Sequence, residues 1–334
     1  MQKIIYIVGI GGRTGAMFAR EMGGSSDIIG VGLSREAKMI AAGDLKLSRG
    51  GAVTEALSVP VVTPENFKDA IEKKYPDFIW VATRNPVTEA VKFYYRNFAG
   101  RKELPALILS QNGLSAIDDA KAGLEAALGD DAGKVAIVRV SLINGVDMSI
   151  EDGVSIINYK VPVKLGFGAI SGQTGLKDVL RATQIKFQEF EGRDVLKMEN
   201  SKLFTNLIGM AAAARGMTVS GGLLDKKVFM EEVSMLKEYV VAVKAGGGGF
   251  LDNYAGYPIK MLAGMMLLPA ALLVPFRGIF ERIVTKGRNR PKDLFEIDYY
   301  NGEVVKLGKR FGTLAKINEA IVGRVKNTLP GGFK

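Results

Sequence analysis

The chain has 334 residues, enough for two domains that each bury a core of their own. Apolar residues make up 47% and charged residues 24%, a balance that excludes disordered, fibrous and collagenous classes. There is no cysteine and no histidine, which removes disulfides, thiolate and imidazole metal sites and histidine-based triads, and the net charge of +10 asks for an anionic partner.

From the start, Lys3 to Gly9 (KIIYIVG) reads as a buried strand, and a helix follows from about Arg13 to Gly23. Ile28 to Leu33 is a second strand, with further strands expected at Val59–Thr63, Asp77–Thr83 and Ala106–Ser110. Helices begin near Pro64, Pro86 and Ser115, the first two with proline suited to the first helical turn. Such alternation predicts an α/β fold with a parallel, doubly wound sheet. Residues 134–168 are strand-rich and extend that sheet, and Ser171-Gly172-Gln173-Thr174-Gly175 is a turn-rich break. We therefore place one domain over residues 1–175 and a mostly α-helical domain over residues 176–334. Helical spacing in the second half covers Asp178–Phe190, Glu199–Arg215, Asp225–Lys244 and Gly308–Lys326, with Gly246 to Gly249 a flexible interruption.

Met261 to Phe276 is a run of 16 residues, shorter than the roughly 20 needed to span a bilayer and broken by two prolines. The expectation is a buried helix or hairpin. An interfacial anchor is one alternative, because Arg277, Arg282, Lys286, Arg288 and Arg290 follow, and a substrate lid is the other. The opening Met1-Gln2-Lys3 shows no secretory pattern, so a cytoplasmic setting is expected. No basic stripe with interleaved aromatics is present, and nucleic acid is not expected as a partner.

Directly after the first strand stands Gly9-Ile10-Gly11-Gly12-Arg13-Thr14-Gly15. Glycines there allow a tight turn, close approach to a pyrophosphate, and close helix–strand packing, while the helix N-terminus offers N–H groups to the anion. The spacing is G-x-G-x-x-x-G, one residue longer than the usual dinucleotide fingerprint. The second strand ends Leu33-Ser34-Arg35, a hydroxyl and a guanidinium suited to a 2′-phosphate, which favours NADPH. Glu36 is the counter-candidate: a carboxylate would accept from an unphosphorylated ribose, although a role capping the next helix is the better fit.

Three later segments carry chemistry. Gln111-Asn112-Gly113-Leu114 follows a strand end, where ligands collect in such sheets. Lys202 and Asn206 lie four apart on one helix face. Near the end stands Glu296-Ile297-Asp298-Tyr299-Tyr300-Asn301-Gly302-Glu303-Val304-Val305. With the glycine loop and Ser34-Arg35, these resemble the ketopantoate reductase (2-dehydropantoate 2-reductase) family over about residues 3–326. The resemblance implies a Rossmann domain joined to a helical domain and NADPH-dependent reduction of ketopantoate to pantoate. It also implies Lys202 as general acid, Asn206 and Asn112 as substrate-binding, Asn112 also beside the nicotinamide, Glu296 orienting Lys202 or a substrate hydroxyl, and Arg84 near the cofactor. Independently, hydride addition to a ketone leaves charge on oxygen that an ammonium stabilises and quenches.

Met210 stands where the family often has a second Asn, and the segment before Glu296 is replaced by the apolar stretch. Those departures motivate a different branched 2-oxo acid as an alternative substrate. A non-catalytic dinucleotide-binding or membrane-peripheral protein is the alternative class. Lys202 as a solvated helix lysine, Asn206 as an amphipathic polar position and Glu296 as an exposed carboxylate are the bland readings. An apolar helix in the second domain is compatible with a homodimer.

Overall fold

The computed structural model describes residues 2–51, 53–285, 292 and 294–328. The chain divides into two compact units, residues 1–111 with 116–195, and residues 112–115 with 196–334.

The first unit runs β1 (Ile4–Val8), α1 (Arg13–Met22), β2 (Asp27–Val31), α2 (Ser34–Ala42), β3 (Leu45–Arg49), β4 (Val53–Ala56), β5 (Val61–Val62), α3 (Phe67–Lys73), β6 (Phe78–Val81), α4 (Thr88–Tyr95), β7 (Ala106–Leu109), α5 (Ala116–Leu128), β8 (Ile137–Leu142), β9 (Val146–Glu151), β10 (Val154–Tyr159), β11 (Lys164–Ser171), α6 (Leu176–Arg181) and β12 (Lys186–Glu189). The main sheet has the order β12-β11-β8-β7-β6-β1-β2-β5. It is parallel from β5 through β8, and β11 lies antiparallel to β8. β1 lies between β2 and β6 and sends alternate residues into two separate cores, so both faces are covered and its apolar run needs no alternation. Ile5, Ile7, Trp80 and Ile108 fill one core, and Tyr6, Val8, Ile79, Val81 and Leu107 fill the other. The chain winds outward through β2 to β5, then returns to the other side of β1 for β6. The strand order thus reverses at β1, which places a crevice at its carboxyl end.

Two features depart from the sequence expectation. A second sheet, β4-β3-β10-β9, gathers strands from distant parts of the chain, and β3 and β4 were not foreseen. The helix expected over 178–190 stops at Arg181, and Lys186–Glu189 form β12, parallel to β11. Phe187 stacks against Phe167 with ring centroids 5.7 Å apart, so burial of that ring on the sheet edge overrides helical spacing. The division drawn at 175/176 accordingly falls inside the first unit, which runs on to Val195.

The second unit carries α7 (Arg193–Leu207, whose first turn belongs to the first unit), α8 (Met210–Ala213), α9 (Val219–Leu224), α10 (Lys226–Ala245), α11 (Ile259–Met265), α12 (Ala270–Leu273), α13 (Arg277–Thr285), α14 (Asn301–Phe311) and α15 (Lys316–Thr328). The helix expected over 199–215 is broken at Gly209, where φ is +89° and a Cβ would lie 2.6 Å from Val219 Cγ2. Gly312, also left-handed, separates α14 from α15 within the helix expected over 308–326. α10 matches its expectation: Asp225 accepts from the N–H groups of Lys227 and Val228, each at 2.9 Å, and satisfies the first turn. The tetraglycine follows α10 directly. It closes α10 and is fastened to α7, Asn200 donating to Gly249 O at 3.0 Å.

The stretch 261–276 is not one buried helix: it holds most of α11, then α12 after a short turn. Leu262, Met266 and Leu273 are buried, while Met261, Leu268, Leu272 and Phe276 are exposed. Among the described residues no helix is long and apolar enough to cross a membrane. Arg277 and Arg282 lie on α13, whereas Lys286, Arg288 and Arg290 fall outside the described residues.

Candidate active site

In the first unit, β1 ends at Val8 and Gly9 turns the chain at φ +87°. A Cβ on Gly9 would lie 3.1 Å from the backbone of Ala82 and Thr83, so the turn rests directly on the segment that leads to Arg84. Ile10 is fully buried and covers Gly30 of β2, which leaves only its backbone for a ligand. Gly12 caps α1 without a side-chain hydrogen bond, and the first turn holds no acidic residue. A Cβ on Gly15 would sit 2.4 Å from Gly9 O, so Gly15 takes the helix-packing role despite the longer spacing. A helix N-terminus behind backbone this closely packed, with Arg13 exposed on its first turn, fits a dinucleotide pyrophosphate.

Ser34 and Arg35 open α2 and are exposed. Glu36 turns back: its Oε2 accepts from Leu33 N–H at 2.7 Å, the capping role expected of it. Its side chain also packs on the loop, since a Cβ on Gly11 would meet Glu36 Cγ at 2.7 Å and one on Gly32 would meet Glu36 Oε2 at 2.8 Å. Gln111, at the end of β7, donates to Val81 O (2.8 Å) and Thr83 O (3.1 Å). The buried Arg139 donates to Gln111 O at 2.8 Å, an anchor that sequence reading missed.

In the second unit the four predicted residues come together. Asn112 Nδ2 donates to Glu296 Oε2 (2.8 Å) and to Tyr300 Oη (3.1 Å), and Tyr300 Oη donates to Glu296 Oε2 (2.9 Å). Asn206 Nδ2 donates to Asn112 Oδ1 at 3.2 Å. Gly113 is required beside this network, because φ is +89° and a Cβ would lie 3.0 Å from Tyr299 O. Glu303, almost fully buried on α14, holds the same turn by accepting from Ser115 N (3.0 Å) and Ser115 Oγ (2.5 Å).

Lys202 and Asn206 share one face of α7, as their spacing predicts. Burial pushes the Lys202 ammonium down to about 8, and the carboxylates of Glu199 and Glu296 partly offset that. A lysine in this setting stays mostly protonated at neutral pH and gives up its proton more readily than a solvated one. That is the property a general acid needs. Among the described residues no cluster of carboxylates is arranged to hold a metal.

Several functional candidates were missed. Tyr300 and Glu303 lie inside the quoted C-terminal motif without having been singled out, and their hydroxyl and carboxylate were the available signal. Glu199 sits three residues before Lys202, one helical turn away, which spacing alone could have flagged. Glu232 and Lys292 had no local signal, because their partners lie on other elements. Met210, one of the departures that motivate a different oxo acid, is fully buried.

No family model matches the chain, and no curated protein is similar to it at a significant level. Solved structures do match along nearly the whole length. One is the PanE/ApbA family ketopantoate reductase from Ralstonia eutropha JMP134, 15% identical, with a TM-score of 0.71 and 97% of each chain covered. A second, described as a ketopantoate reductase of Ralstonia solanacearum MolK2, is 16% identical with a TM-score of 0.70 and 98% of each chain covered. A third is D-mandelate dehydrogenase, solved as a ternary complex with NADH and anilino(oxo)acetate, 13% identical with a TM-score of 0.68 and 96% of each chain covered. The chain therefore has the fold of the ketopantoate reductases, an α/β unit followed by a helical unit, as the sequence motifs implied.

Proposed function

We propose that the protein is a nicotinamide-dinucleotide-dependent oxidoreductase that reduces a 2-oxo acid, with NADPH as the reductant and ketopantoate as the first substrate to test. The observation that carries this reading is the cluster of Lys202, Asn206, Asn112 and Glu296. A lysine lowered to about 8 lies in the field of Glu296, whose carboxylate accepts from the Asn112 amide, which in turn accepts from Asn206. Folds like this one serve both ketopantoate reductases and D-mandelate dehydrogenase, enzymes of related chemistry.

A bound reduced nicotinamide supplies the hydride. The glycine loop and the N-terminus of α1 hold the pyrophosphate, and Ser34 and Arg35 are available to a 2′-phosphate. Lys202 faces the negative charge that grows on the carbonyl oxygen and delivers the proton to that oxygen. Glu296, held by Asn112 and Tyr300, supplies a fixed countercharge that keeps Lys202 protonated before the step. Asn206 holds a substrate oxygen by hydrogen bonding. We further place the enzyme in the cytoplasm and propose a homodimer, for which the exposed Leu268, Leu272, Phe276 and Ile279 are the candidate face.

The direct test is NADPH oxidation followed by absorbance with ketopantoate, aliphatic branched oxo acids and aryl oxo acids. Turnover that depends on an oxo acid and is lost in Lys202→Ala supports the reading. Failure with every oxo acid, in protein that binds the dinucleotide, ends it.

A further inference from the structure

Glu232 and Lys292 lie outside the catalytic cluster, yet both grip the backbone beside it. α7 ends at Leu207 and α8 begins at Met210, so the break strands carbonyls on one side and N–H groups on the other. In an unbroken helix the Gly209 N–H would donate to Thr205 O. Here the Gly209 N–H donates to Glu232, and Ala211 N–H donates to the other oxygen of that carboxylate at 3.1 Å. On the far side Lys292 Nζ donates to Thr205 O at 3.2 Å and to Asn206 O. Glu232 thus accepts from the N–H groups at the start of α8 and Lys292 donates to the carbonyls at the end of α7, so both sides of the break find partners.

The placement has consequences for the cluster. Asn206 is at once the residue whose carbonyl Lys292 holds and the one whose amide reaches Asn112. Lys292 also stands four residues before Glu296, so its grip on α7 tethers the strand of chain that carries Glu296 to the helix that carries Lys202. Burial pushes the Glu232 carboxyl up and the Lys292 ammonium down, and each is a countercharge that opposes the other's shift. Glu232 is fully buried and Lys292 half-buried, so both are placed there at a desolvation cost that a solvated loop would not incur.

We propose that Glu232 and Lys292 form an electrostatic splint across the helix break at Gly209, positioning Asn206 and Glu296 for the reaction at Lys202. Both are positioning residues, and the proposal rests on the oxo acid reductase reading above.

The test compares Lys292→Met, Lys292→Arg and Glu232→Gln with the wild type in NADPH-dependent turnover of the best oxo acid. A splint predicts that Lys292→Met lowers kcat at least about tenfold, as small misplacements of reacting groups do. KM for NADPH stays unchanged, because the glycine loop, Ser34, Arg35 and Arg84 belong to the other unit, and Lys292→Arg recovers most of the lost rate. Lys292→Met with wild-type kcat, or Lys292→Arg as impaired as Lys292→Met, overturns the proposal. Amide hydrogen exchange over residues 205–213 reads the splint without any activity. Faster exchange there in Glu232→Gln and Lys292→Met, with α14 unchanged, supports it, and unchanged exchange in folded variants overturns it. A wild type without turnover but with that exchange pattern removes the reductase reading alone.

Discussion

At the scale of single residues, the proposed chemistry depends on one ammonium in a largely buried setting beside Glu199 and Glu296. Reduction consumes the proton on Lys202, so the rate should be high below its value of about 8 and fall as pH rises through it. Replacing Glu296 with Gln removes an anion that raises that value. The alkaline limb of kcat/KM should then move to lower pH, and a profile superimposable on the wild type would show that Glu296 exerts no such control. Lys202→Ala should cost on the order of 10²–10⁴ in kcat, the range for loss of a positioned acid. Dinucleotide binding, followed by nicotinamide fluorescence, should persist in that variant. Arg35→Ala should raise KM for NADPH at least about tenfold more than KM for NADH, since only the former offers a phosphate to the guanidinium. Equal effects would transfer the choice to Glu36, whose carboxylate already packs on Gly11 and Gly32.

At the scale of elements, the glycine loop and the helix break do opposite things with the same residue type. Gly15 lets α1 sit against the turn at Gly9, and a methyl there must displace backbone 2.4 Å away. Gly15→Ala should therefore lower stability by about 1–3 kcal/mol, the usual cost of overpacking, and weaken dinucleotide binding together with it. Thermal melting with and without NADPH reads both effects. Gly209 instead ends a helix early, and its left-handed backbone makes Gly209→Ala strained wherever the neighbouring Val219 moves. Gly209→Ala should reduce turnover by disturbing Asn206 while leaving NADPH affinity unchanged.

At the scale of the whole molecule, the chain places its two sets of site residues in different units. Gly9 to Gly15, Ser34, Arg35 and Arg84 belong to the first, while Lys202, Asn206, Glu296 and the short segment 112–115 belong to the second. Substitutions in one set should thus separate kinetically from those in the other: dinucleotide KM for the first, kcat and oxo acid KM for the second. A homodimer through the exposed apolar residues of the 268–279 stretch should appear as twice the chain mass in light scattering, and Phe276→Asp should reduce it to one. A wild-type monomer at micromolar concentration would remove that assembly.

The amino-acid order by itself determined the alternation of β1, α1 and β2, the glycine loop and the K-x-x-x-N pair, because each depends on neighbours within a few positions. The family resemblance of the segments around them, and not spacing, singled out Asn112 and Glu296. Only the tertiary structure decided that Asn112, 184 residues from Glu296, would hydrogen-bond to it. It likewise made β12 from a helical pattern, assembled the second sheet from β3, β4, β9 and β10, and gave Glu232 and Lys292 the two sides of one helix break. Such pairings are set by burial and by backbone groups that need partners, and neither is written in local spacing.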